Sequence, residues 1–434
     1  MSVELDRPPR PRGMPARVRA DSLWILAGYA ITGGTGFLFW VLAARLIAPE
    51  RLGYETAVYS VFTAAAAIAA SGVGDALLVM LPTAGPDRLR LLRAAVLTTL
   101  GVGLVTGTLA GVAAAFALES IDAPIRTGLL ILAGTLIWSL FVLKDPTLQG
   151  IGRARDTLLL NGPVNVAKLG VLPLVALWLG TQVGMIPVAV LPAALVAVVI
   201  AFGVMVLPRV RRGDELLGDA AVSSRPRGFD RRVFTVFVVR DGIASGLYMA
   251  SFLVVPFATT WLAGPEQGAL LALCFQIGMM LDLVALAFGA SFSAHAAADD
   301  ATGAHALGLW LRVLAIVGGG AVLLVAVSPV ILGILGGFYL DSGGVAVIAI
   351  LALGGVLRTA WEIRGASLRA RHRTTTLLVG AIVQVVVLVP VGLIAIPAWG
   401  AVGAAVTVLA ATVALAVMGL VGLLRDERRA KAAA

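Results

Sequence analysis

The sequence predicts an all-α membrane protein of about twelve transmembrane helices, built as two six-helix lobes of like orientation. Three observations carry this expectation. Of the 434 residues, 59% are hydrophobic and only 13% are charged, where a soluble domain keeps roughly a quarter of its residues charged. The charges fall in short clusters between long apolar runs, the pattern of a polytopic membrane chain. The second half of the chain also repeats the first in a single register.

Crossing the hydrocarbon takes roughly 20 apolar residues in a helix. On that criterion spans lie near 22–47, 54–81, 94–118, 125–144, 157–179 and 186–207. After a polar, basic connector at 208–232, six more lie near 233–261, 266–290, 307–335, 344–363, 374–396 and 400–424. This divides the chain into an N-terminal lobe (22–207), a C-terminal lobe (233–424) and a basic tail (425–434). The Arg- and Pro-rich residues 1–21 read as a disordered cytoplasmic tail. The first apolar run is too long for a signal peptide and lacks a cleavage site, so no cleavable leader is expected.

Basic residues crowd into alternate connections. They stand before span 1 (Arg7, Arg10, Arg12, Arg17, Arg19), between spans 2 and 3 (Arg88, Arg90, Arg93) and between 4 and 5 (Lys144, Arg153, Arg155). They recur between 6 and 7 (Arg209, Arg211, Arg212, Arg225, Arg227, Arg231, Arg232), between 10 and 11 (Arg364, Arg369, Arg371, Arg373) and after span 12 (Arg425, Arg428, Arg429, Lys431). The opposite connections hold little beyond Arg45, Arg51 and Arg126. The positive-inside rule then places both termini in the cytoplasm and the chain in the inner membrane. The 8–9 connection departs from the pattern, with His295, Asp299, Asp300 and His305. The same rule accounts for the net charge of +9, so no nucleic-acid partner is expected. Cys274 is the single cysteine, which leaves no intramolecular disulfide and no cysteine metal cluster.

The repeat is read from matched segments. LIAPERLGYETA resembles WLAGPEQGALLA, setting Pro49-Glu50 against Pro265-Glu266, 216 positions apart. QGIGRAR resembles RGASLRAR, setting Arg153-Ala154-Arg155 against Arg369-Ala370-Arg371 at the same offset, with Pro173 and Pro390 following. Repeats of this kind are typical of secondary transporters. Because six spans is an even number, the two lobes share one orientation around a pseudo-two-fold axis along the membrane normal. Gly103, Gly107 and Gly111 form a small-residue stripe on span 3, read as a packing face.

Chemistry is sparse. There is no His/Cys metal spacing, no Walker-type loop and no supported Ser/His/Asp set, so neither a catalytic residue nor a metal or cofactor is expected. The intramembrane charges remain, each costing about 2.5 kcal/mol or more near a helix centre. Arg240 and Asp241 in span 7 and Asp282 in span 8 lie roughly 12 Å inside the membrane. They form either a cationic phosphate site gated by carboxylates or a structural ion pair through Arg240. Asn161, Asn165 and Lys168 share one face of span 5, and Gln384 stands at the matching place in span 11. That stripe either lines a substrate path or serves hydrogen bonding within the bundle. Asp75 lies in span 2. Arg358 and Glu362, four apart in span 10, either pair along their helix or snorkel. Arg45 is a rim cation or an interfacial anchor. Trp24, Trp40, Trp138, Trp261 and Trp361 read as an interfacial belt.

GTGFLFWVLAARLIAPERLGYETAVYSV, then GVGDALLVMLP and QGIGRAR, resemble the bacterial O-antigen-type polysaccharide flippases, relatives of MATE exporters and lipid II flippases in the MOP superfamily. The resemblance covers nearly the whole chain. It implies a MATE-like two-lobed bundle working by alternating access on an undecaprenyl-pyrophosphate-linked oligosaccharide. Partners would be membrane lipids and other polysaccharide-assembly proteins. The implied substrate contacts are Arg240, Lys168, Asn165, Asn161, Gln384, Arg358 and Arg45. Asp241, Asp282, Asp75 and Glu362 would bind a coupling H⁺ or Na⁺ or act as gates. Lipid II flippases usually have fourteen spans and more cavity arginines, and this chain departs on both points. The alternatives are a MATE-like cation or drug antiporter, a membrane glycosyltransferase and a non-transporting scaffold.

Overall fold

The computed structural model describes residues 33–118, 124–179, 184–212, 228–296, 306–370 and 374–433. The tail at 1–21, Trp24, residues 213–227 of the connector and the 8–9 residues Asp299, Asp300 and His305 lie outside it. Every described element is helical. In the first half they are α1 (Gly33–Leu46), α2 (Pro49–Met80), α3 (Arg88–Ala117), α4 (Pro124–Gly150), α5 (Ala154–Leu179) and α6. The last comprises Met185–Val199, a π-helical turn at Ile200–Val206 and Leu207–Arg212. The second half opens with α7 (Arg231–Leu253), which resumes after a break at Val254 as Val255–Ala263. It continues with α8 (Pro265–Ala296), α9 (Ala306–Leu335) and α10 (Gly344–Ala370). One long stretch, Thr374–Ala433, turns at Gly400 and so supplies both α11 (374–399) and α12 (401–433). Among the described residues these twelve long helices match the expected count, with two short ones, Gly85–Asp87 and Gly337–Asp341, in the connections.

Boundaries differ from expectation where helices run past the apolar stretch. α4 continues to Gly150, α6 enters the expected connector as far as Arg212, and α12 runs through the basic tail to Ala433. Hydropathy reports only the length needed to cross hydrocarbon. Backbone hydrogen bonding does not stop there, and Arg and Lys side chains extend to water from a continuing helix.

The repeat explains two junctions. The Pro-Glu pairs open α2 and α8, with proline at a position needing no N–H donor and glutamate at the positive helix end. The turns entering α6 and α12 are made by Gly184 (φ +118°) and Gly400 (φ +58°), again 216 apart. Each new helix is capped from the second helix of its half. Both Glu55 carboxylate oxygens serve α6: one accepts from Gly184 N at 2.7 Å and Met185 N at 3.1 Å, the other from Ile186 N at 3.0 Å. Gln267 Oε1 accepts from Ala401 N at 3.0 Å. A Cβ at Gly400 would run into the Gln267 side chain, so both the turn and its cap require glycine there. Glu55 is fully buried, and Glu55→Ala leaves three buried donors open. We expect a loss of about 2 kcal/mol or more, read as a lower unfolding midpoint, with Glu55→Gln intermediate.

α2 lies at the centre of the bundle. It packs on α3 and α4 within its own half, runs antiparallel along α7 and also touches α8. Gly72 meets Gly242 backbone to backbone, Gly246 rests on Ile68, and Thr260 Oγ1 donates to Gly53 O at 3.3 Å. Glycine at these crossings lets α2 and α7 approach closely. The Gly103, Gly107 and Gly111 stripe is buried against Leu136 and Ser139, Thr135 and Gly128 of α4, a packing face as expected. In the second half α10 is central, against α8, α9 and the α11–α12 stretch. A core containing Phe39, Ile47, Leu52, Ile186, Phe252, Leu271, Val347 and Ala404 joins the two halves at the end opposite the arginine-rich connections.

Candidate functional site

Two polar clusters lie inside the bundle, one in each half. In the C-terminal half, α8 and α10 bring Asp282 and Arg358 together, with Arg358 Nη1 donating to Asp282 Oδ2 at 2.6 Å and both side chains buried. The guanidinium sits over the Phe252 ring, 4.3 Å from its centroid. One turn further along α10, Glu362 Oε1 accepts from the Tyr248 hydroxyl at 2.6 Å. Gln384 of α11 is fully buried, and its Nε2 donates to Ser251 Oγ at 2.6 Å and Tyr248 O at 3.2 Å. Some polar atoms stay unsatisfied among the described residues: Arg358 Nε, Gln384 Oε1 and Asp241 Oδ2. Asp241 is itself buried. With Ser245, Tyr248 and Glu362 it lines a crevice of about 20 Å³, room for one water-sized occupant.

The N-terminal half holds the second cluster. Lys144 of α4 is completely buried; its Nζ donates to Asp145 Oδ1 at 2.7 Å and sits 3.7 Å from the Phe141 centroid. Asn161 Nδ2 donates to Asp145 Oδ2 at 3.3 Å, and Asn165 is buried one turn further along α5. Lys168 Nζ lies 5.3 Å from the Phe39 centroid. Among the described residues it meets no carboxylate. Between the two lysines runs a ladder of rings: Phe39 on Trp40, Trp40 on Tyr59, Tyr59 on Phe62 and Trp138, Phe62 on Trp138, and Trp138 on Phe141, with centroids 4.9–6.2 Å apart. Such spacing is favourable for aromatic pairs, and ring faces attract the ammonium groups at each end.

Several sequence expectations change. The partner of Asp282 is Arg358, from a helix remote in sequence, and not Arg240, which is exposed. Arg358 and Glu362 do not pair along α10; each finds a partner on a neighbouring helix. Arg45 is exposed, and its Nε donates to Ile334 O at 2.6 Å, tying α1 to the end of α9. Asp75 is partly buried on α2. Trp40 and Trp361 are buried at 6% and 4% exposure, and Trp138 belongs to the ladder. Their nearness to span ends reflects inward-facing rings there, while Trp261 (52% exposed) faces outward. Lys144, assigned by sequence to a loop, is a fully buried cation within α4. The repeat held the clue: an offset of 216 takes position 142 to Arg358, so each half carries a buried cation on its fourth helix at nearly the same depth.

Counted as formal charges, the C-terminal cluster holds Asp241, Asp282 and Glu362 against Arg358, a surplus of two negatives. The N-terminal cluster holds Lys144, paired with Asp145, and the separate Lys168, a surplus of one positive. No grouping of three or more His, Cys, Asp or Glu suited to a metal occurs among the described residues.

No family profile and no curated protein matches the chain by sequence. Solved structures do match over nearly full length. One is a MOP superfamily transporter from Pyrococcus furiosus, described as having a binding pocket of reversed polarity that suggests a different function. It matches at TM-score 0.65 and 16% identity, covering 96% of each chain. A multidrug-resistance MATE family transporter matches in its outward-facing conformation at TM-score 0.65 and 17% identity, covering 96% of each chain. The inward-facing conformation of a MATE family transporter matches at TM-score 0.63 and 17% identity, covering 97% of this chain and 96% of that one. The chain therefore has the MATE-type fold found in MOP superfamily transporters.

Proposed function

We propose that the protein is an alternating-access transporter of the bacterial plasma membrane, with both termini cytoplasmic. It flips an oligosaccharide linked to undecaprenyl pyrophosphate for cell-surface polysaccharide assembly. The observation that carries this reading is Lys168. An ammonium held within the bundle without a carboxylate is costly, and an anionic pyrophosphate offsets that cost through charge-assisted hydrogen bonds. Asn161 and Asn165 extend the polar face, and Tyr59 and Trp138 supply aromatic surface against which the apolar faces of sugar rings pack. The acidic surplus of the other half suits the coupling cation, H⁺ or Na⁺, with Asp241 and Glu362 at a crevice of one-ion size and Asp282 held by Arg358. Hard cations take such oxygen ligands. Division of labour follows: substrate anion towards the N-terminal half, coupling cation towards the C-terminal half.

Deleting the gene should strand the lipid-linked oligosaccharide on the cytoplasmic leaflet and remove the corresponding surface glycan. An unchanged surface glycan in the deletion strain overturns the reading. The acidic surplus also favours a second reading, an H⁺- or Na⁺-coupled antiporter of cationic drugs. Resistance on overexpression, abolished by Asp282→Asn, would establish that alternative.

A further inference from the structure

A groove outside both clusters has the makings of a lipid site. It lies between α3, α4 and α6 at the arginine-rich end, with a volume of about 490 Å³. Its floor is apolar, from Leu92, Leu140 and Phe202 among others, and Leu97 (69% exposed) forms part of the membrane-facing wall. The π-helical turn Ile200–Val206 borders it and sets Gly203 beside open space. π turns inside α-helices are frequent at functional positions. Two exposed arginines, Arg93 and Arg211, also line the groove. Neighbouring arginines are engaged: Arg90 with Asp87 Oδ1 at 3.1 Å, Arg88 with Pro82 O at 3.2 Å and Arg209 with Met205 O at 2.6 Å. Arg93 and Arg211 have no carboxylate partner among the described residues.

We propose that this groove binds one anionic phospholipid, its acyl chain along the apolar floor and its phosphate between Arg93 and Arg211. The depth of the groove supports this division. α3 enters at Arg88, and Leu97 lies about 14 Å further along the helix axis at 1.5 Å per residue. Arg93 is barely more than one turn in, and Arg211 stands at the exit of α6. The guanidiniums are therefore at headgroup level while the wall descends into hydrocarbon. Charge complementarity selects an anionic headgroup, and the concavity selects an acyl chain over a free anion. This site is independent of the transport reading.

The test uses purified full-length protein in detergent, titrated separately with dioleoyl phosphatidylglycerol, dioleoyl phosphatidylcholine and inorganic phosphate while thermal unfolding is followed. Phosphatidylglycerol should raise the midpoint by several degrees over phosphatidylcholine, and phosphate alone should not. The double variant Arg93→Gln/Arg211→Gln should weaken phosphatidylglycerol binding by about thirtyfold. Gly203→Trp, or Leu97→Trp from the opposite wall, fills the groove with both guanidiniums intact and should abolish the same preference. Retention of the preference in the arginine double variant overturns the proposal. So does its retention in both filling variants, which would leave only a diffuse attraction of anionic lipid to a basic surface. An equal effect of inorganic phosphate overturns it as well.

Discussion

Arg358→Met is expected to destabilise the folded protein by about 3–5 kcal/mol, the range seen when one member of a buried ion pair is removed and the other stays charged. Asp282 would then lack its 2.6 Å donor in a buried position. The packing of the guanidinium on Phe252 would go as well. The partner substitution separates charge from packing. In Arg358→Met/Asp282→Asn neither site holds an uncompensated charge, so most of the lost stability should return. Unfolding midpoints of the single and double variants decide this. A single variant as stable as the wild type would mean that the pair is not intact in the membrane. Transport should behave differently from stability. If Asp282 takes part in cation coupling, the stable double variant remains inactive.

Lys168→Ala should lower flipping by about tenfold or more, the effect of removing one charge-assisted contact of about 1.5–3 kcal/mol. Stability should hold or rise, because the ammonium meets a ring face and no carboxylate, so its removal relieves an uncompensated charge. Lys168→Arg keeps the cation and should keep most of the activity. Transport rates measured at matched protein levels provide the check. The antiporter reading predicts the opposite sign. Removing a positive charge beside a cationic substrate would strengthen its binding, so improved drug export in Lys168→Ala would favour that alternative.

These effects concern residues that the sequence located unevenly. Span count and the repeat were legible because both depend on periodic, local properties: twenty-residue apolar length, alternating loop charge and the Pro-Glu openings of α2 and α8. The same register extends to Gly184 and Gly400, where backbone geometry demands glycine in both halves. Side-chain pairing was not legible. Asp282 and Arg358 lie 76 positions apart, and their meeting depends on how α8 and α10 cross. Arg240, adjacent to Asp241 and at similar depth, was the obvious partner on spacing alone. It turned outward because helical rotation, not depth, decides which side chains face the interior. Lys144 was hidden by Asp145 and Pro146, which look like a loop, yet α4 runs through them to Gly150. Trp40 and Trp361 misled for a related reason: position along a helix shows nearness to an interface, while the direction of the ring depends on neighbours. Lys144 joins Lys168 as a second cation of the N-terminal cluster, which gives the two clusters opposite surpluses.

The most direct test of the account is reconstitution of the purified protein in liposomes carrying fluorescently labelled undecaprenyl-pyrophosphate oligosaccharide, with leaflet exposure followed while a proton or sodium gradient is applied. Wild-type protein should show gradient-dependent flipping, reduced about tenfold or more in Lys168→Ala and lost in Asp282→Asn. Wild-type protein that leaves the lipid-linked oligosaccharide in its original leaflet under either gradient, yet exchanges a cationic drug under the same conditions, would contradict it.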